Sequence, residues 1–230
     1  MWHHSVCRLA AAGLMAATLA GAAQAKEPFA KEFKVEAGEL ASTGRNPYFI
    51  LEPGYTLVLE GDGEQLTITV LDETRKIGAV ETRVVEERET KDGTLVEVSR
   101  NYFAISQRTG DVYYFGEEVD MYKKGKVSSH DGAWLSGTGG ARFGLMMPGA
   151  PAVGARYYEE VAPGVAMDRA EIVGTSEVLR TPAGDFTGGL KVFETTPLEP
   201  WAREHKYYAP GIGLVQDGSV KLVKYGKPQP

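Results

Sequence analysis

The sequence predicts a mainly β protein, a single curved antiparallel sheet or half-open barrel laid out as a hairpin meander with little helix. Three observations carry that expectation. Beyond Pro47 the apolar residues recur at every second position, no long window shows an apolar stripe at helical period, and turn signals centred on glycine punctuate the chain. The 28 glycines and 12 prolines further disfavour long helices.

The first 25 residues read as an export signal. A basic head, Met1 to Arg8, precedes an apolar run from Leu9 to Ala23, and Ala23-Gln24-Ala25 supplies the small-x-small cleavage site. Cleavage after Ala25 and a periplasmic or extracellular destination are therefore expected. The apolar run falls short of the roughly 20 residues a membrane anchor needs. The only cysteine, Cys7, stands ahead of that run rather than at the cleavage site, so no lipid attachment is expected either. Without it the mature chain has no disulfide and no thiol nucleophile, and its fold rests on an apolar core. Cleavage removes one of the 25 Lys and Arg and none of the 31 Asp and Glu, which takes the net charge from −6 to −7. That balance disfavours nucleic acid and anionic headgroups, both of which need clustered cations.

Residues 26–46 are charged and lack an apolar rhythm, which predicts a mobile leader with at most a short strand over Phe33 to Val35. A single β domain is expected over 47–225, with a short tail at 226–230. Tyr55 to Glu60, Leu66 to Leu71 and Ala79 to Val85 alternate and are rich in β-branched and aromatic residues, as strands are. Asp62-Gly63, Asp92-Gly93, Thr109-Gly110-Asp111, Lys124-Gly125 and Asp217-Gly218 supply the positive φ that tight hairpins require. Thr94 to Ile105 should then pair with Asp111 to Phe115, and Ile212 to Val215 with Val220 to Val223. One helical turn is expected near Glu117 to Tyr122. Gly132 to Gly154 is so rich in glycine and proline that it predicts a long loop or two, yet it carries Trp134, Phe143, Leu145, Met146 and Met147, too apolar for disorder.

Two stretches near the C-terminus belong together. Val178 to Phe186, with Pro182-Ala183-Gly184-Asp185-Phe186, is similar to a P-A-G-x-F element of secreted bacterial domains, and Tyr207-Tyr208-Ala209-Pro210-Gly211-Ile212-Gly213-Leu214-Val215 resembles their closing strand. The pair resembles uncharacterised exported proteins and the TapB-like and LolA-like group of curved sheets. That resemblance implies a half-open barrel whose concavity, in lipoprotein carriers, holds acyl chains. The chain departs from the carriers in lacking amphipathic helices to plug the sheet. The motif residues themselves read as scaffold: Gly184 for a tight reversal, Phe186 for the core, Pro210-Gly211 and Gly213 for a bend in the last strand.

Catalytic signals are sparse. Of the histidines, His130 and His205 lie beyond the signal, each beside a carboxylate. Ser128 and Ser129 adjoin His130, but there is no G-x-S-x-G elbow. Zinc-binding spacings, a calcium loop, a phosphate loop and a dinucleotide fingerprint are all missing, so no cofactor and no metal is expected. Glu86-Glu87-Arg88-Glu89, Glu117-Glu118-Val119-Asp120 and Glu159-Glu160 read as solvated strand faces. Asp168, Glu171, Glu194 and Glu199 leave a carboxylate pair for glycoside hydrolysis open without selecting one.

Aromatic pairs say more. Tyr113-Tyr114, Tyr157-Tyr158 and Tyr207-Tyr208 should each send one ring to either face of the sheet. Trp134, Phe143, Met146, Met147, Tyr158 and Tyr208 are the candidate ligand-binding residues, with the methionines as an adaptable lid. The expected function is non-enzymatic: an exported domain that holds a lipid or other amphipathic ligand in the hollow of its sheet. The alternatives are an envelope protein that docks on a partner by a sheet edge or apolar loop, and a polysaccharide hydrolase.

Overall fold

In a computed structural model, which describes residues 28–227, the regular secondary structure is almost all strand, the exception being a single 3-10 turn at Ala37–Glu39. Short strands β1 (Leu40–Ala41), β2 (Gly44–Asn46) and β3 (Phe49–Leu51) lead into a meander of β4 (Thr56–Gly61), β5 (Glu64–Ile77), β6 (Val80–Lys91), β7 (Thr94–Ser106) and β8 (Val112–Lys123). Strands β9 (Lys126–Ser129) and β10 (Trp134–Leu135) fold back on β8, and β11 (Arg142–Met147), β12 (Arg156–Tyr158) and β13 (Glu160–Val161) follow. A second meander runs through β14 (Arg169–Thr181), β15 (Gly184–Thr195), β16 (Arg203–Ala209), β17 (Gly213–Asp217) and β18 (Val220–Gly226). Asp62-Gly63, Asp92-Gly93 and Lys124-Gly125 all take positive φ, as two-residue hairpin turns between right-twisted strands require.

The hydrogen-bonded path runs β12-β14-β15-β16-β17-β18-β4-β5-β6-β7-β8-β11-β13. Its two ends, β12 and β13, are consecutive in the chain and separated by Glu159 alone, so the backbone itself joins the edges into a nearly closed barrel. Gly144 on β11 lies against this seam. A Cβ there would stand 2.3 Å from the Glu159 carbonyl oxygen and 2.5 Å from that of Tyr158, a fit only glycine allows.

Several expectations change. Glu117 to Tyr122 is not a helical turn but the second half of β8, because Asn101 to Glu97 on β7 offers it a continuous ladder. The Gly132–Gly154 stretch is not all loop: Trp134–Leu135 and Arg142–Met147 both pair with β8. The Ala209 to Gly213 motif is a turn between β16 and β17, not a bend in one closing strand. The proposed signal over 1–25 and the last three residues lie outside the described residues.

Residues 28–46 dock on the barrel rather than trail from it. The Ala30 backbone exchanges hydrogen bonds with β12, from its N–H to the Arg156 carbonyl at 2.9 Å and from the Tyr158 N–H to its carbonyl at 2.8 Å. Phe29 sits under the guanidinium groups of Arg156 and Arg169, at 3.9 and 4.6 Å from its ring centre. No strand forms over Phe33 to Val35; instead both side chains, with Leu40, cover an outer cluster of Val84, Tyr102, Ala104, Tyr113 and Phe115. Asn46, almost wholly buried, ties three loops together: its Nδ2 donates to the carbonyls of Gly110 (2.8 Å) and Pro148 (3.0 Å), and its Oδ1 accepts from the Tyr48 N–H.

Candidate functional site

Inside the barrel, strand alternation carries each inward row from an apolar residue to a polar one two positions away. Val85 leads to Glu87 on β6, Val192 to Glu194 on β15, Val215 to Asp217 on β17, Tyr157 to Glu159 at the seam, and Tyr208 back to Lys206 on β16. The pairings Val192↔Lys206, Glu194↔Glu204 and Lys206↔Asp217 bring these polar positions to one level of the ring. One end of the interior is therefore apolar and the other lined with carboxyl groups.

Between the two lies a cavity of about 90 Å³. Tyr55, Leu57, Val70, Val85, Phe103 and Leu214 form its apolar wall, Met146 and Tyr208 join them, and Glu87, Lys206 and Asp217 close the polar side. The Lys206 ammonium is already engaged, 2.9 Å from Glu194 Oε2 and 3.7 Å from Asp217 Oδ2. Burial works against that charge, but Glu194 and Asp217 hold the lysine well above its ordinary range. Asp217 Oδ1 is buried without a hydrogen-bond partner, and so is Glu194 Oε1. Burial pushes Glu87 up to about 7, with Lys206 opposing and Glu89, Asp217 and Glu117 adding to the rise. Glu159 and Glu160, only 5% and 2% exposed, are raised well above the carboxylate range for the same first reason.

Beyond the polar end an open cleft of about 590 Å³ is lined by Glu117, Asp168, Glu194, Glu199, Glu204 and Arg203 among others. Glu117 and Glu204 both reach about 7, chiefly through burial. The Tyr114 hydroxyl and the Trp134 indole, which pull Glu117 down, only partly offset it. Such groups exchange protons near neutrality.

The six residues singled out from the sequence do not converge. Met146 and Tyr208 line the cavity. Trp134 and Met147 belong to the same interior core, with Trp134 edge-on to Tyr114 at 5.2 Å. Phe143 lies outside, stacked on Phe115, and Tyr158 faces Phe29 and Arg169 at the seam. Among the adjacent tyrosines, Tyr113-Tyr114 splits between faces, Tyr114 entering the interior core and Tyr113 the outer cluster, whereas Tyr207 and Tyr208 both pack on the interior core.

The acidic clusters are where the sequence reading missed most. Glu86 and Arg88 do pair on the outside, with Arg100, but Glu87 between them points inward. Parity holds the signal, since Glu87 shares a face with Val85. For Glu117 parity from Tyr114 fails: the register of β8 against β7 shifts at Gly116, a bulge that turns the next residue inward. His130 donates from Nδ1 to the Val119 carbonyl at 2.7 Å, Ser128 donates to the Met121 carbonyl, and His205 lies on Phe193, so no serine–histidine pair forms among the described residues. Among the described residues no three His, Cys, Asp or Glu side chains are grouped to hold a metal ion.

Fold and interior together define an antiparallel barrel with an internal amphipathic cavity. Comparison with family models, curated proteins and solved structures finds no match to the chain.

Proposed function

We propose that this protein is an exported, non-enzymatic binding domain that takes an apolar or amphipathic ligand into the interior of its barrel. The cavity carries this reading: its wall is apolar, its far side is polar, and a tyrosine and a methionine named from the sequence line it. About 90 Å³ is less than the ~150 Å³ in which an enclosed apolar cavity takes up benzene, so a larger guest has to displace a side chain. Met146 is suited to that: it is only partly buried, unbranched and polarizable. The export signal supports a site of action outside the cytoplasm.

Native mass spectrometry of the purified protein, before and after incubation with a membrane lipid extract, tests the reading. An adduct of lipid or other amphiphile is expected, and Met146→Trp, which fills the cavity from its most yielding wall, should abolish it. A bare protein mass under both conditions would reject a carrier role.

A further inference from the structure

We infer that the cavity selects guests by their head group, favouring a protonated amine and rejecting a carboxylate. The inference rests on the ligand-binding reading above and adds to it a chemical class.

The polar side of the cavity has one cation, Lys206, and its charge is spent on Glu194 and Asp217. Asp217 keeps a second carboxylate oxygen, Oδ1, buried and without a hydrogen-bond partner in this geometry, although the Glu204 carboxyl, itself raised to about 7, interacts with the Asp217 side chain. Glu87 lines the same side and, among the described residues, makes no hydrogen bond or ion pair with its carboxyl. Glu159 adds a further buried acid whose field reaches Glu194 and Lys206. A guest whose apolar part rests against Leu57, Val70, Val85 and Phe103 thus brings its head to acceptors that lack donors. An ammonium supplies up to three donors and a compensating charge, a hydroxyl supplies one donor and no charge, and a carboxylate supplies neither. Above about pH 7, where Glu87 is ionised, a carboxylate would also stand beside a like charge in a poorly solvated site.

The test compares hexylamine, hexanol and hexanoate, which share one apolar chain, by titration followed with protein NMR. Hexylamine is expected to bind about tenfold or more tightly than hexanol, in line with a hydrogen bond to a charged group, and hexanoate most weakly. Glu87→Gln should weaken hexylamine severalfold and narrow its advantage over hexanol, with Asp217 keeping part of the preference. Since that variant also removes a buried acid, a second arm uses the unaltered protein. Between about pH 5.5 and about pH 8.5 the amine stays protonated while Glu87, facing Lys206, Asp217, Glu89 and Glu117, ionises, so hexylamine should tighten and hexanol should not. Equal binding of the three, or strongest binding of hexanoate, overturns the head-group selection and leaves the cavity reading standing. No binding by any of them, together with no lipid adduct, overturns both.

Discussion

Glu87 shows how a single position acquires its chemistry. On paper it sits in the run Glu86-Glu87-Arg88-Glu89, and its neighbour Glu86 does form surface pairs with Arg88 and Arg100. Alternation turns it toward the barrel interior on the face of Val85, where burial raises it to about 7. Glu117 reaches the same value, and Glu159, Glu160 and Glu194 rise with it, each first of all through burial. The sign of the consequence follows from linkage. A carboxyl raised in the folded state stabilises the fold fully below its unfolded value, near 4.5, and that contribution disappears as the pH climbs through about 7. The melting temperature measured by circular dichroism is therefore expected to fall between about pH 5 and about pH 8. Glu87→Gln should raise stability at the upper pH by about 2 to 3 kcal/mol and flatten the profile. A profile that rises over the same interval would show that the interior acids are solvated.

Strand β11 and the β12–β13 link form the most exacting contact between elements. Barrel closure depends on passing Glu159 across β11, and Gly144 leaves that passage open because it has no side chain. The docked segment around Ala30 then extends the ladder along β12, which leaves less of that strand's edge for another chain to pair with. Gly144→Ala forces a Cβ into backbone atoms that cannot rotate away, and a loss of about 3 kcal/mol is expected. Hydrogen exchange should localise the effect: amides of β11, β12 and Ala30 lose protection first, while the β5–β6 hairpin keeps its own. Uniform loss across the barrel would mean that the seam is not an independent weak point. The hairpins themselves were legible from residue types, since Asp62-Gly63 and Asp92-Gly93 adopt the expected positive φ. Strand ends were less so. A strand seen as Leu66 to Leu71 runs from Glu64 to Ile77, because pairing with β6 continues through residues whose own alternation has faded.

For the molecule as a unit, the decisive pairing is β4 with β18, in which Leu59 stands opposite Leu222 and Leu57 opposite Tyr225. It joins the two meanders across nearly the whole described chain. Loop closure of that length is costly before any contact rewards it, so folding should be slow and all-or-none. A chain ending at Gly218 lacks β18, which uncovers β4 and β17 together and removes the buried Val220 and Leu222. Such a chain is expected to show no cooperative thermal transition, whereas the full chain should show one that coincides by circular dichroism and tryptophan fluorescence. A truncated chain that still melts sharply would mean that the β5–β8 meander folds by itself.

The one-dimensional pattern was enough to specify strands, turns, an apolar core and the division of Tyr113 and Tyr114 between two faces, because side-chain alternation and positive-φ turns are local properties of the chain. It also marked Met146 and Tyr208, which line the cavity. What it left undecided is which outward-looking acids end up inside. That depends on curvature, which turns one face of the ribbon into an enclosed interior, and on the Gly116 bulge, which resets parity for Glu117. Lys206, Glu194 and Asp217 meet only when β15, β16 and β17 lie side by side. A carboxyl group's character is set by what surrounds it in space, and the tertiary structure alone supplies those surroundings.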